Sequence, residues 1–272
     1  MRFGRNMTNS KVFFLHGFLG SPKDTQFLFP ERLSKNVIAV NLMDSDFQSQ
    51  APGFENWVKT FYKIYDNFDN TNLHPIRESG PRRLIGYSLG GRLALHLLKA
   101  RPDFWDQVIL ISANTGFDDS WQNNQDNSIS NFLNFPERQQ RWKDDQKWAE
   151  KFLTLEFTDI WNQWNQQSFF KHSVNTHREN ELQQFDRKVL AHILIHWSLA
   201  FQCNMRPTIL ENSSKIISIL GSEDLKYRNL WEPLCEQSKK LTLKIIPKAA
   251  HRIFLDNPIA LKSALTEFLL QE

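Results

Sequence analysis

Gly86-Tyr87-Ser88-Leu89-Gly90 is the stretch that most constrains how this chain can fold. An apolar run, Leu84-Ile85, leads into it, and leucines at helical spacing, Leu89, Leu93 and Leu97, lead out. Ser88 therefore stands where a strand turns sharply into a helix. Glycines on either side remove the Cβ clashes of such a turn and leave the serine hydroxyl exposed above a sheet edge, the G-x-S-x-G arrangement of a nucleophile elbow. At a helix N-terminus, unpaired backbone N–H groups also favour negative charge on nearby oxygen. A glycine-rich turn with a capping serine would share this pattern, so the rest of the chain has to supply the chemistry.

Other strands announce themselves as short apolar runs of the kind buried on both faces of a parallel sheet: 12–15, 37–40, 108–111, 215–220 and 241–247. Helical stripes fall between them. Trp57, Phe61, Ile64, Tyr65 and Phe68 lie on one face of a helix over 54–68, and Leu261, Ala264, Leu265 and Phe268 on one face of a closing helix over 258–270. Strands alternating with helices predict a mostly parallel sheet with helices on both faces.

The glycines interrupt that regularity. The chain has 10, yet none between Phe117 and Leu220, an interval that holds six of the nine tryptophans. Glycine-free, amphipathic, tryptophan-rich sequence reads as an inserted helical lid over 116–207, which leaves 10–115 and 208–272 as the α/β core.

In open α/β sheets, reactive groups gather at the carboxyl ends of the strands. Ser88, Asp224 and His251 each follow a strand, in the order serine, aspartate, histidine of an α/β-hydrolase fold. The histidine is needed to take the serine proton and the aspartate to orient the imidazole, with Glu223 as the alternative acid. The loop after the first strand, His16-Gly-Phe-Leu-Gly-Ser21, is the expected source of a second oxyanion donor. The backbone N–H groups of Phe18 and Leu89 are the candidates, and His16 is read as a structural tie for the loop.

Charge excludes some partners. With 33 basic and 30 acidic residues the net charge is +3, which gives no reason to expect nucleic acid or an anionic membrane. No run of 18 apolar residues and no secretory signature appears, so a cytoplasmic protein, a monomer or small homo-oligomer, is expected, with Met7 a candidate start. Cys203 and Cys235 form no disulfide framework and no metal-ligand spacing.

The sequence resembles one branch of the α/β-hydrolase superfamily, the 2-succinyl-6-hydroxy-2,4-cyclohexadiene-1-carboxylate synthases of menaquinone biosynthesis. Matching stretches are His16 to Ser21, Gly86-Tyr-Ser-Leu-Gly-Gly-Arg92, Ser112-Ala-Asn114, Glu137-Arg-x-x-Arg-Trp142, Trp148-Ala-x-x-Phe152, Trp164-x-Gln-Gln167, Ser198-Leu-Ala-x-Gln202 and Gly221-x-x-Asp-x-Lys-Tyr227. They span core and lid, whereas an ordinary esterase would share only the core motifs. The resemblance implies a lyase that eliminates pyruvate from a succinyl-enolpyruvyl-hydroxycyclohexene carboxylate without metal or organic cofactor. Ser88 would then be a base toward carbon, activated by His251 and Asp224. It also implies Tyr87, Arg92, Arg141 and Trp164 as contacts to a small polycarboxylate, with a third lid arginine at Arg187 or Arg178. Arg92 follows Ser88 by one helical turn, so its side chain can reach the pocket above the hydroxyl and grip a carboxylate bidentately. Departures from the family pattern fall at Thr115, Asn165 and Ala250, and in the loop over 43–50, mostly at the pocket rim. The competing expectation is a serine carboxylesterase or thioesterase working through an acyl-enzyme on the same three residues.

Overall fold

The computed structural model describes residues 11–30, 36–47, 53–66, 80–118, 134–173 and 185–270. Six strands form one parallel sheet: β1 (Lys11–Leu15), β2 (Val37–Val40), β3 (Arg82–Tyr87), β4 (Gln107–Ile111), β5 (Ile216–Gly221) and β6 (Thr242–Ile246), in the order β2-β1-β3-β4-β5-β6. From β1 the chain first adds β2 on one side, then crosses back to add β3 on the other. That reversal opens a crevice beyond the ends of β1 and β3, where ligands bind in sheets of this type.

The strand sequences explain the layering. Side chains alternate between faces, so Phe13, Leu15, Leu84, Val108 and Leu110 point into one core, while Val12, Phe14, Ile85, Ile109 and Ile111 point into the other. The first core is closed by helices α1 (Glu55–Asp66), α2 (Leu89–Ala100) and, further along the chain, Leu225–Gln237. The second is closed by the C-terminal helix Pro258–Leu270, whose Leu261, Ala264, Leu265 and Phe268 are all buried. Of the stripe expected on α1, Trp57 and Phe61 are buried, Ile64 and Tyr65 are partly so, and Phe68 lies outside the described residues.

Between β4 and β5 the described chain is helical. It comprises α3 (Pro136–Thr154), α4 (Phe157–Asn165), a 3-10 turn (Ser168–Phe170), α5 (Arg187–His196), a second 3-10 turn (Leu199–Phe201) and α6 (Arg206–Glu211). Helices α3, α4 and α5 share a small core of Ala149, Phe152, Ile160, Trp161, Leu190, Ala191 and Leu194, to which the β1 loop adds Leu19. Proline at the start of α3 suits its first turn, where the missing N–H has no partner to lose. The loop of 43–50 is described only to residue 47, and 119–133 and 174–184, with Arg178, lie outside the described residues. The chain then enters α7 (Leu225–Gln237), with Asp224 as its N-cap, and ends in α8 (Pro258–Leu270). Among the described residues no helix is long and apolar enough to cross a membrane.

Candidate active site

The turn at Ser88 shows why the sequence is glycine-rich there. Ser88 has φ 50° and ψ −108°, in the left-handed half of backbone space that side chains rarely adopt. Its N–H is held by the Ile111 carbonyl at 2.8 Å, and its carbonyl accepts from Arg92 N–H at 3.1 Å. A Cβ on Gly86 would meet the Gly90 carbonyl oxygen at 2.5 Å, and one on Gly90 would strike the Leu15 carbonyl. Glycine at both positions lets α2 start directly against β1 and β3, which fixes where the serine hydroxyl points.

Ser88 Oγ lies 3.0 Å from His251 Nε2, and His251 Nδ1 lies 3.0 Å from Asp224 Oδ2. These contacts run across the ends of β3, β5 and β6, so the sheet register sets their spacing. His251 and Asp224 are almost fully buried, and with Nδ1–H donating to the carboxylate, Nε2 is left to accept the serine proton. Glu223 is exposed, and its N–H donates to the Ala249 carbonyl, so the inward carboxylate is that of Asp224. Aromatic rings crowd the imidazole: Tyr227 at 4.6 Å, Phe169 at 5.4 Å and Phe170 at 5.8 Å between centroids. The last two come from the 3-10 turn between α4 and α5, so helical sequence inserted after β4 rests on the histidine.

A cavity of about 480 Å³ opens above Ser88. Phe18 and Leu89, the two candidate oxyanion donors, line it together with Tyr87, Arg92, Arg141 and Trp164. Neither the Phe18 nor the Leu89 amide donates to another described group. His16 lies just beneath, fully buried. Its Nδ1–H donates to the Gly17 carbonyl at 2.8 Å and its Nε2 accepts from Leu42 N–H at 3.1 Å, which ties the β1 loop to the β2 loop. Burial holds its pKa down to about 4.

The cationic side chains are placed unequally. Arg92 is buried, its Nε donating to Gln202 Oε1 and its Nη2 to the Trp197 carbonyl, both at 2.6 Å. Among the described residues it has no carboxylate within ion-pairing distance. Desolvation, with a smaller contribution from Arg141, lowers its pKa to about 9. Arg141 donates from Nε to Asp145 Oδ2 at 2.8 Å. Burial alone would lower its pKa, but Asp145 outweighs that and raises it. Ser198 Oγ donates to the same Asp145 oxygen at 2.6 Å, so a buried carboxylate orients the guanidinium from behind.

Two of the expected contacts stand differently. Tyr87 borders the cavity, but its hydroxyl donates to the His251 carbonyl at 3.2 Å, which makes it a brace for the histidine. Arg187 is not brought to the cavity: at the first turn of α5 its Nη1 donates to the Leu155 carbonyl at 2.6 Å, and its guanidinium stacks 4.2 Å from the Phe157 ring centre. A free carbonyl at the end of α3 lies within its reach, and α3 ends there because Leu155 turns extended. Trp164 lines the cavity among Phe18, Trp148 and Phe152.

Sequence reasoning gave no role to Asp145, Ser198, Gln202, Lys226 or Arg252. Ser198, Gln202 and Lys226 fall inside motifs already conspicuous in the sequence, which was the available signal. Arg252 had none. Its Nη2 donates to Asn165 Oδ1 at 2.5 Å and its guanidinium lies 3.8 Å from the Phe170 ring centre, so the departure at Asn165 meets the residue that follows His251. Among the described residues no group of three or more histidine, cysteine or acidic side chains is arranged to hold a metal ion.

Known proteins resemble the chain over most of its length. The chain is 25% identical over 265 residues to the 2-succinyl-6-hydroxy-2,4-cyclohexadiene-1-carboxylate synthase of Serratia proteamaculans, covering 95% of this chain and 92% of that one. It is 27% identical over 262 residues to the enzyme of the same name from Escherichia coli O1:K1 / APEC, covering 94% and 92%. Among solved structures, MenH from S. aureus superposes with a TM-score of 0.75 at 19% identity, covering 98% of this chain and 95% of that one, a likeness of fold. The family model described as serine aminopeptidase, S33 matches residues 7–191. With more than half its length matched and a parallel sheet of this order, the chain belongs to that family of α/β-hydrolase-fold enzymes.

Proposed function

We propose that this chain is a carbon–oxygen lyase that eliminates pyruvate from a succinyl-enolpyruvyl-hydroxycyclohexene carboxylate, giving 2-succinyl-6-hydroxy-2,4-cyclohexadiene-1-carboxylate for menaquinone biosynthesis. In this reading residues 116–207 form a lid over the α/β core, and Ser88, His251 and Asp224 are the catalytic residues. His251 Nε2 draws the proton from Ser88 Oγ, and the serine oxygen takes a proton from a ring carbon of the substrate. Electron density shifts onto the succinyl carbonyl oxygen, which the Phe18 and Leu89 amides receive. Its return forms the ring double bond and breaks the carbon–oxygen bond to the enolpyruvyl group. The pyruvate enolate leaves and is protonated, so the triad finishes in its starting protonation state.

One observation carries this reading: a buried guanidinium, Arg92, one turn from the serine and with no acidic partner among the described residues. Burying an unpaired cation is unfavourable, and an ester pocket has no use for one. A polycarboxylate supplies the missing charge, and Arg141, oriented by Asp145, offers a second fork for it. The names of the synthases reported above support the same substrate.

The test is pyruvate release when purified protein meets the enolpyruvyl intermediate, with Ser88→Ala as control. Release that the control abolishes supports the lyase. No release, together with rapid hydrolysis of short activated esters, would move the assignment to a carboxylesterase or thioesterase.

A further inference from the structure

Resting on the polycarboxylate reading, we infer that Lys226 is a specificity-determining residue, pairing with Arg141 across the cavity mouth to hold the carboxylate of the substrate farthest from Arg92. The chain brings it there by way of Asp224. That aspartate stands at the N-cap position of α7 but turns its carboxylate inward to His251, and Lys226, two residues on, lines the cavity from the first turn of the helix. Its ammonium lies 5.6 Å from the Phe169 ring centre and 5.9 Å from that of Tyr227, the two rings that flank His251.

The helix end gives no reason for a cation at this exposed position. The first turn of a helix is the positive end of its dipole, where lysine is unfavourable. Lys226 forms no ion pair or hydrogen bond with a described residue. Lys226 and Arg141 both line the cavity; partial desolvation, and then the charge of Arg141, lower the Lys226 pKa, while Asp224 acts the other way. Two cations lining one cavity repel each other until an anion lies between them. With Arg92 deeper in the same cavity, the three mark a site for a ligand that carries carboxylates at both ends. The place expected for a third arginine is thus filled from the core, by a lysine, while Arg187 turns to Leu155. A solvated lysine resting on two aromatic rings would leave dicarboxylate binding unchanged.

The experiment titrates wild type, Lys226→Met and Lys226→Arg with succinate and with butyrate, followed by the fluorescence of the cavity tryptophans Trp148 and Trp164. Loss of one charge-assisted contact corresponds to about tenfold in affinity. Lys226→Met should therefore bind succinate about tenfold more weakly than wild type, bind butyrate unchanged, and be rescued by Lys226→Arg. Equal succinate affinity in wild type and Lys226→Met, or equal weakening of both ligands, overturns the inference. Pyruvate release is measured separately. If wild type releases none while the succinate preference holds, the elimination reading falls and Lys226 stands. If pyruvate is released with the same KM by Lys226→Met, the inference falls and the elimination reading stands.

Discussion

Replacing Arg92 by methionine should separate stability from activity, because the side chain is held where a ligand needs it and the fold does not. Desolvation and Arg141 bring its pKa from 12.5 to about 9, which makes the charged form about 5 kcal/mol less favourable at neutral pH than in the unfolded chain. The sign is that of a cation with a depressed pKa: the penalty is complete below pH 9 and fades only above it. Against this stand two short bonds, to Gln202 Oε1 and the Trp197 carbonyl. Bonds from a charged donor are worth roughly 1.5–3 kcal/mol each, so together they offset about 3–6 kcal/mol. The terms nearly cancel, and methionine fills most of the volume. Thermal unfolding should shift by less than about 6 °C, given roughly 2–4 °C per kcal/mol for a chain of this size. Losing a buried contact to a substrate carboxylate is worth about 3–4 kcal/mol, so kcat/KM for pyruvate release should fall by about 10² to 10³. Calorimetry and a coupled pyruvate assay on one preparation measure both. A melting temperature lowered by more than about 10 °C, with kcat/KM within about threefold of wild type, would refute the reasoning and make Arg92 a structural residue.

Three further outcomes follow from the same geometry. Asp145→Asn leaves the Arg141 fork in place but loosens it, so KM should rise about tenfold with kcat within about threefold, in steady-state kinetics. The logarithm of kcat/KM should fall as pH rises through about 9, because Arg92, flanked by Arg141, Asp145 and Tyr227, loses its charge there; a flat profile to pH 10 in the pyruvate assay would show that Arg92 keeps its charge over that range. His16 is neutral when folded down to about pH 4 and protonates near 6.5 when unfolded, so its stabilising contribution is complete above 6.5 and is lost as pH falls. Between pH 7 and pH 5 that loss amounts to about 2 kcal/mol in urea unfolding, and His16→Gln should lack it.

Much of this architecture could be read from the sequence because parallel strands buried on both faces are short continuous apolar runs, as Val12 to Leu15 and Val108 to Ile111 are. The elbow was legible for a different reason: the tight approach of α2 to β3 and β1 admits only glycine at Gly86 and Gly90. Side chains whose partners lie far along the chain were not legible. Arg92 meets Gln202 and Trp197 more than a hundred residues later. Arg252 finds Asn165, and Ser198 reaches Asp145 from another stretch of the chain, pairings that composition and periodicity cannot encode. Arg187 shows the same limit in reverse. A lid arginine was expected at the cavity, but helix ends carry carbonyls without intrahelical partners, and the one at Leu155 was nearer. The sequence around Lys226 was conspicuous as a motif, yet only the turn after Asp224 reveals which way its side chain leaves.

In the proposed elimination Ser88, activated by His251 and Asp224, removes a proton from carbon and takes up no substrate group of its own. Intact-protein mass spectrometry of the enzyme quenched during pyruvate release tests it directly. Unmodified protein is expected at every time point while pyruvate accumulates. A transient adduct mapped to Ser88, formed and lost at the turnover rate, would contradict it.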